Sequence, residues 1–300
     1  MTSQPNKSGM IVFWNGQFVP VSQVQIDPFS QSLHYGNAVF EGLRSYPTAE
    51  GPRIFKGLEH FNRLHASARR LYLNLDYEAE YLLEVAHELI RRNRLEAAYI
   101  RPLVFAGDNL SLVASAGTQV LMMAFEWGRL LGNAPVNLTV SSYRKQAPDS
   151  ALLTAKVSGN YANSVLATSE ARLRGFHEAL LLDQDGFVAQ ASASNIFLEQ
   201  GERLITPSSS GHIFPGITRS VVIELAREIG IQVEERDVTL EDLRKAESIF
   251  LAGTATEIAP VARVDSLAMP LRWEDSLGHT ISRKYRHAAT QRDVNHWALI

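Results

Sequence analysis

Hydrophobic periodicity runs along most of this 300-residue chain and breaks over Trp127–Pro135, where the segment WGRLLGNAP carries two glycines and a proline. In a chain long enough for two medium domains, such a break separates two cores. Upstream of it, Met10–Pro20 reads as a hairpin turning at Asn15-Gly16. Residues 57–72 place Leu58, Phe61, Leu64, Ala68 and Leu71 at helical spacing. Residues 78–93 repeat the pattern with Leu82, Leu83, Ala86, Leu89 and Ile90. Strands are expected at 98–106 and 119–126. Downstream, a strand at Val136–Ser141 opens the second half. Glu178–Asp183 and Phe187–Gln190 flank the turn Gln184-Asp185-Gly186, and Asn195–Glu199 and Arg203–Thr206 extend the sheet. Thr218–Gly230 is an amphipathic helix with Gly230 as its cap, followed by a short helix at 239–246 and a strand at 247–252. This mixed order predicts an α+β chain of two domains, with mainly antiparallel sheets, flanking helices and a site between the domains. The divisions are a small N-terminal domain at 1–128, an interdomain loop at 129–135 and a larger C-terminal domain at 136–300.

Composition removes several function classes. A net charge of -3, with charged residues at 20%, offers no electrostatic footprint for nucleic acid. The chain has no cysteine, which rules out disulfides and thiolate metal sites. No apolar run reaches membrane-span length, and the start, MTSQPNKSG, is polar rather than a signal peptide, so a cytoplasmic location is expected. The first eight residues are expected to lack structure. No metal-ligand spacing stands out among the nine histidines, and neither a Gly-x-Ser-x-Gly elbow nor a Gly-x-Gly-x-x-Gly turn occurs.

One lysine stands apart from the other five. Lys7, Lys56, Lys145, Lys245 and Lys284 have charged, polar or glycine neighbours typical of surface. Lys156 lies in Ala155-Lys156-Val157-Ser158-Gly159-Asn160-Tyr161, after Leu152-Leu153, with a small or apolar residue on each side. An amine desolvated among apolar groups sheds its proton readily, and a neutral amine is a nucleophile and Schiff-base former. The same heptapeptide also suits a surface lysine at a strand end. Other segments fit an anionic ligand held near this amine. Phe214-Pro215-Gly216-Ile217-Thr218 feeds a helix start, where free N–H groups and the dipole suit phosphate. Gly253-Thr254-Ala255-Thr256 offers a second set of amides and hydroxyls after a strand. Arg63 could fork onto a phosphate. Tyr99 and Arg101 share one face of an apolar strand and suit carboxylate recognition. Taken singly, each of these is also an ordinary turn, cap or surface charge.

Together, in order, the segments resemble the fold-type IV pyridoxal-phosphate aminotransferases, and among them the branched-chain amino-acid aminotransferases. The likeness runs from about Ser32 to Pro260. It rests on Leu33-His34-Tyr35-Gly36 with Val39-Phe40-Glu41-Gly42, on Arg63-Leu64-His65, and on AYIRPLVFAGD at 98–108. Lys156–Tyr161, Phe214–Arg219 and Gly253–Ile258 complete it. The resemblance implies a homodimer or larger assembly acting on amino-acid and 2-oxo-acid substrates, with pyridoxal 5′-phosphate as cofactor. It assigns Lys156 as the Schiff-base and proton-shuttling residue. Tyr161 would bond the cofactor's phenolic oxygen, and Arg63, Ile217, Thr218 and Thr254 would hold its phosphate. The Thr254-Ala255 amides would take the substrate α-carboxylate, and Tyr99 and Arg101 would contact substrate, Arg101 at a distal carboxylate. Phe40 would line the side-chain pocket, while Tyr35 and Val113 would reach a neighbouring subunit's site.

Two positions depart from that pattern. The family places a glutamate against the pyridine nitrogen, in the strand leading to an Asn-Leu-Phe-like segment. Here Asn195-Ile196-Phe197 fixes the register and Gln190 stands at the glutamate's place. A one-residue slip to recruit another group would reverse the strand's faces. A neutral amide supports an unprotonated ring nitrogen, which withdraws fewer electrons. The family's tyrosine near the pocket rim is replaced by Leu130. The expected activity is transamination of branched-chain or other hydrophobic L-amino acids with 2-oxoglutarate. Gln190 leaves open a pyridoxal-phosphate enzyme of another reaction type, such as a racemase or lyase, or a protein that binds the cofactor without useful turnover.

Overall fold

The computed structural model describes residues 7–114, 117–209 and 212–291. The first sheet is antiparallel throughout. Its strands follow in the order Gln17–Pro20, Ile11–Trp14, Thr118–Phe125, Tyr99–Ala106, Leu43–Thr48 and Gly51–Ile54, and Ala38–Phe40 also pairs with Tyr99–Ala106. The hairpin turns at Asn15 (φ 46°) and Gly16 (φ 93°), both in the left-handed region that a tight two-residue turn demands. Helices Gly57–Arg70 and Ala79–Arg92 bury their apolar stripes against this sheet, so Phe61, Leu64, Leu82 and Leu89 meet Phe13, Ile100 and Met122 in one core.

The second sheet is mixed. Its order is Val188–Ala191, Glu178–Leu182, Val136–Arg144, Glu257–Val264, Ser248–Gly253, Asn195–Gln200, Arg203–Pro207 and Gln232–Arg236, with Leu267–Ala268 pairing to Glu257–Val264. Val136–Arg144 runs parallel to both neighbours, and Arg203–Pro207 runs parallel to Gln232–Arg236. Helix Tyr161–Leu173 packs on one part of this sheet through Ala167 and Ala171. Helices Ile217–Glu228 and Leu277–Thr290 share a core with Phe197 and Phe250. Helix Ile217–Glu228 ends as the sequence suggests. Gly230, at φ 78°, bonds back to Arg227 O, and the next N–H, from Ile231, reaches Ala226 O, closing both orphan carbonyls.

Several expectations need correction. The strand expected to end at Ser141 continues to Arg144, because Arg144 still pairs with Leu182. Order begins earlier than the polar start suggests: the Met10 N–H reaches Lys7 O at 3.2 Å, while residues 1–6 lie outside those described. Lys145 is not a surface lysine. It is 8% exposed, with its N–H bonded to Leu182 O and its carbonyl to the Gln184 amide, so its stem is carried inward. Among the described residues no helix is long and apolar enough to cross a membrane.

The two halves touch at several places, among them Tyr46 and Phe55 in the core around Tyr285, Arg44 against the 254–255 loop, and a close backbone contact. Val39 bridges to Val157, and the Gly159 N–H bonds to Gly36 O at 3.3 Å. Gly36, at φ 71°, presses so closely on Gly159 that a Cβ there would lie 2.8 Å from its Cα.

Candidate active site

Lys156 follows strand Val136–Arg144 and precedes helix Tyr161–Leu173, yet its peptide is held by the other half of the chain. Its N–H donates to Ser67 Oγ at 3.2 Å, and its carbonyl accepts the Phe40 N–H at 3.1 Å. Tyr161 opens the helix, and this places its Oη 2.6 Å from Lys156 Nζ. The Phe40 and Phe214 ring centroids each lie 4.8 Å from the same nitrogen. The amine therefore faces a cavity of about 220 Å³ with aromatic walls. That wall also contains Arg63, Tyr99, Arg101, Leu130, Gln190, Ile217, Thr218, Thr254 and Ala255, all anticipated from sequence. Tyr35 and Val113 are not part of it. They are 51% and 73% exposed and line a separate surface hollow.

One end of the cavity suits an anion. Helix Ile217–Glu228 starts from extended Gly216 with no side-chain cap, and its first N–H with a partner belongs to Ser220. The amides of Ile217 and Thr218 are left for a ligand. Gly216 is pressed against Asn195 Oδ1, where a Cβ would collide, and Asn195 Nδ2 in turn donates to Phe214 O at 3.0 Å. Arg63 stands over the Phe214 ring at 4.6 Å and donates from Nη1 to Pro215 O at 3.0 Å. Its Nε and Nη2 donate to the two oxygens of Glu41 at 2.6 and 2.9 Å. Of its five N–H groups, two remain for the cavity.

Glu41 is the buried anchor of this corner. Burial pushes its carboxyl up, but the Arg63 guanidinium and the hydrogen bond from His60 Nδ1, at 2.8 Å, outweigh that and hold it well below the usual carboxylate range. His60 is lowered too, but by burial, which the adjacent Glu41 opposes without reversing. A neutral imidazole donating from Nδ1 to an ionised Glu41 satisfies both.

Another part of the wall suits a carboxylate beside an apolar group. Arg101 Nη2 donates to Tyr99 Oη at 3.0 Å, as expected for two residues on one strand face, and its guanidinium lies 4.6 Å over Phe40. Arg101 Nε is buried without a partner. Gly42 makes room for the Tyr99 hydroxyl, which occupies the place a Cβ would take. Trp127 packs edge-on to Tyr99 at 4.8 Å. The loop between the sheets thus forms part of the wall, and Leu130 fastens it by donating its N–H to Ala255 O at 2.9 Å. Arg44 ties the same parts from the first sheet, donating to the carbonyls of Trp127, Gly128, Thr254 and Ala255.

Gln190 is 5% exposed. Its Oε1 accepts the Phe214 N–H at 2.7 Å, and its Nε2 reaches Ala191 O at 3.3 Å. Sequence reasoning gave no role to Glu41, His60, Ser67, Arg44, Trp127 or Phe214. For Glu41 a signal existed: an acid between Phe40 and Gly42 in an apolar run implies a buried partner. The sequence shows no metal spacing, but Asp183, Asp185 and His212 bring ligand atoms within 4.8 Å of one another, outside the cavity. There, Asp183 Oδ1 already accepts the N–H groups of Asp185 and Phe187.

Known proteins share this whole arrangement of chain. The family model for amino-transferase class IV matches residues 38–264. The branched-chain-amino-acid aminotransferase of Escherichia coli K12 is 38% identical over 268 residues, covering 87% of each chain. A probable branched-chain-amino-acid aminotransferase of Aquifex aeolicus is 38% identical, covering 85% of this chain and 84% of its own. Among solved structures, the Thermoproteus uzoniensis branched-chain aminotransferase with norvaline superposes with a TM-score of 0.90 at 34% identity, covering 93% of this chain and 94% of that one. The Thermobaculum terrenum branched-chain amino acid aminotransferase in its PLP form gives a TM-score of 0.88 at 28% identity, covering 94% of each chain. With its fold, the order of its motifs and a cavity built around Lys156, this chain belongs to the class IV aminotransferases.

Proposed function

We propose that this aminotransferase moves the amino group of branched-chain or other hydrophobic L-amino acids to 2-oxoglutarate, with pyridoxal 5′-phosphate bound in the cavity at Lys156. One observation carries the reading. The Lys156–Tyr161 pair shares a cavity with a capless helix start and with Arg101, which lies over Phe40 and has a buried nitrogen without a partner. The donor set fits the cofactor: two spare Arg63 N–H groups, two free helix amides and the Thr254 hydroxyl suit a phosphate, and a glycine at 216 keeps the backbone close.

When bound, the cofactor supplies an aldehyde for amine condensation and an electron-withdrawing ring. The chain supplies the rest. Lys156 Nζ would hold the cofactor at its aldehyde carbon and, once displaced there by the substrate amine, would carry the α-proton from the substrate carbon to that aldehyde-derived carbon. Tyr161 Oη, already within hydrogen-bond reach of that nitrogen, holds the phenolic oxygen. The Thr254 and Ala255 amides receive the α-carboxylate on a loop that Arg44 and Leu130 keep in place. Arg101 and Tyr99 meet the distal carboxylate of the dicarboxylate partner, while Phe40 and Leu130 accept the aliphatic side chain. Apolar contacts of this kind separate neighbouring side chains by about 1–3 kcal/mol per methylene. Tyr35 and Val113, with the exposed Leu33, Leu110 and Leu112, form the face that would join a second subunit and complete its site. A cytoplasmic setting, where amino acids and 2-oxo acids are met together, goes with this role.

The test is borohydride reduction of cofactor-loaded protein followed by peptide mapping, then an absorbance screen with L- and D-amino acids. Fixation on Lys156 and conversion of the aldehyde cofactor to its amine form by L-leucine are expected. Turnover with the aldehyde retained would instead favour the racemase or lyase alternative that Gln190 raises. Cofactor fixed elsewhere, or nowhere, would end the proposal.

A further inference from the structure

The wall of the cavity contains Arg63, Arg101 and Lys156 and, among the described residues, no aspartate or glutamate. Glu41 and Glu126 adjoin wall residues in sequence and Glu257 lies two residues past Ala255; Glu126 is exposed, and the other two are engaged elsewhere. Glu41 is held by Arg63 and His60, and Glu257 by Arg129 at 2.5 Å with Arg44 at 3.9 Å. A positively charged ring nitrogen would therefore find no counter-charge here, only like charge. The neutral polar groups of the wall can be assigned in turn. Ser194 Oγ is paired with Thr256 Oγ1 at 2.7 Å, and Asn195 Nδ2 donates to Phe214 O. Asn195 Nδ2 keeps a second N–H, as Gln190 Nε2 does, but Asn195 packs its Oδ1 against Gly216 beside the anion-binding amides, which leaves Gln190 for the ring. The orientation of Gln190 is fixed, because a flipped amide would set Nε2 against the Phe214 N–H, donor against donor. Its Nε2 has one N–H on Ala191 O and a second to spare. In a bound cofactor the phosphate and the phenolic oxygen have their own partners in Arg63 and Tyr161, so the ring nitrogen is the acceptor left over.

We infer that Gln190 donates its spare N–H to the cofactor's ring nitrogen and thereby keeps that nitrogen unprotonated, so that the enzyme works with a neutral pyridine. This rests on the cofactor reading above and deepens it. A neutral pyridine withdraws fewer electrons from the substrate carbon, which slows α-proton removal by Lys156 and limits side reactions of the same kind. It also weakens cofactor retention. A charge-assisted bond exceeds a neutral one by enough to change a dissociation constant by roughly 2- to 30-fold.

The experiment loads wild-type protein and Gln190→Glu with pyridoxal phosphate labelled with ¹⁵N in the ring, and reads the nitrogen chemical shift at neutral pH. No turnover is needed. The expected result is a wild-type signal in the unprotonated pyridine range and a Gln190→Glu signal moved to the pyridinium range, with cofactor held roughly 2- to 30-fold more tightly. A wild-type signal already in the pyridinium range overturns the inference and leaves the proposed function standing. A Gln190→Glu signal that does not move overturns the assignment to residue 190. Should Gln190→Glu misfold, the wild-type signal alone decides the protonation state, and Gln190→Leu, which removes the donor, replaces it and is expected to shift the signal toward that of an unbonded pyridine. Failure of borohydride to fix the labelled cofactor on Lys156 overturns both readings, and it is seen by peptide mapping, independently of the shift.

Discussion

Glu41→Gln removes the charge at the centre of a buried cluster while keeping its shape. Glu41 has a fully buried side chain and receives two N–H bonds from Arg63 and one from His60. Removing one partner of a buried pair costs about 3–5 kcal/mol, because the other charge is left uncompensated. The Arg63 side chain keeps 15% exposure, so water takes up part of the loss and the lower end applies, about 3 kcal/mol. Binding of a phosphate against Arg63 supplies a second anion, and the same substitution then costs less, roughly 1–2 kcal/mol in the loaded protein. The assay is urea unfolding of wild type and variant, each with and without pyridoxal phosphate. The folded Glu41 carboxyl lies below its unfolded value, so its contribution is complete above about pH 4.3 and is lost only as the pH falls through the depressed folded value. The two proteins should therefore converge only at strongly acid pH. A loss below about 1 kcal/mol without cofactor, or equal losses with and without it, would refute the claim that Glu41 neutralises Arg63 in the empty corner.

Lys145 is held down to about 8, first by burial and then by the nearby Lys156 charge. Its folded value lies below the unfolded value near 10.4, so the unfolded chain binds more protons and stability rises between about pH 8 and 10.4, by up to about 1.4 kcal/mol per pH unit. Lys145→Met should flatten that rise and stabilise the protein by about 2 kcal/mol at neutral pH, as read from urea midpoints at several pH values. Gly42→Ala drives a Cβ into the Tyr99 hydroxyl and breaks its contact with Arg101. It should cost about 1–3 kcal/mol and raise the KM for 2-oxoglutarate more than that for a monocarboxylate oxo acid in steady-state kinetics. Thr239→Ala removes the reciprocal cap of helix Leu240–Lys245 and should cost about 1 kcal/mol in thermal unfolding with no change in kinetics.

The parts of the molecule legible in the sequence are those whose burial follows a local period. Helix Ala79–Arg92 buries Leu82, Val85, Ala86 and Leu89, so its stripe is visible in the letters. Helix Tyr161–Leu173 buries only Ala167 and Ala171 and leaves Val165, Leu166 and Leu173 exposed, so it has no stripe to find. Helix Leu277–Thr290 shows sparse apolar residues, with Ile281, Tyr285 and Ala289 buried among polar neighbours. Strand Glu257–Val264 begins on a non-glycine residue at φ 57°, a conformation that tertiary contacts with Arg44 and Arg129 impose. The cavity residues were legible because their motifs lie in order along the chain. Glu41, Arg44 and Ser67 were not, because their partners lie far away in sequence: Arg63 for Glu41, the 254–255 loop for Arg44, Lys156 for Ser67. Lys145 misled for the same reason, since its immediate neighbours are polar and its burial comes from the strand beside it.

The clasp on the Lys156 peptide has a mechanical meaning for the whole chain. Ser67 and Phe40 belong to the first half, and the lysine they grip belongs to the second. The amine reaches its working position only while the halves are docked. A ligand that joins Lys156 and bonds both Arg63 and the amides at 217–218 can bind only that docked state. At a hundredfold excess over its dissociation constant such a ligand adds about 2.7 kcal/mol to it. The cofactor would then act as a rivet as well as a reagent, and cells short of it would hold a more loosely joined chain.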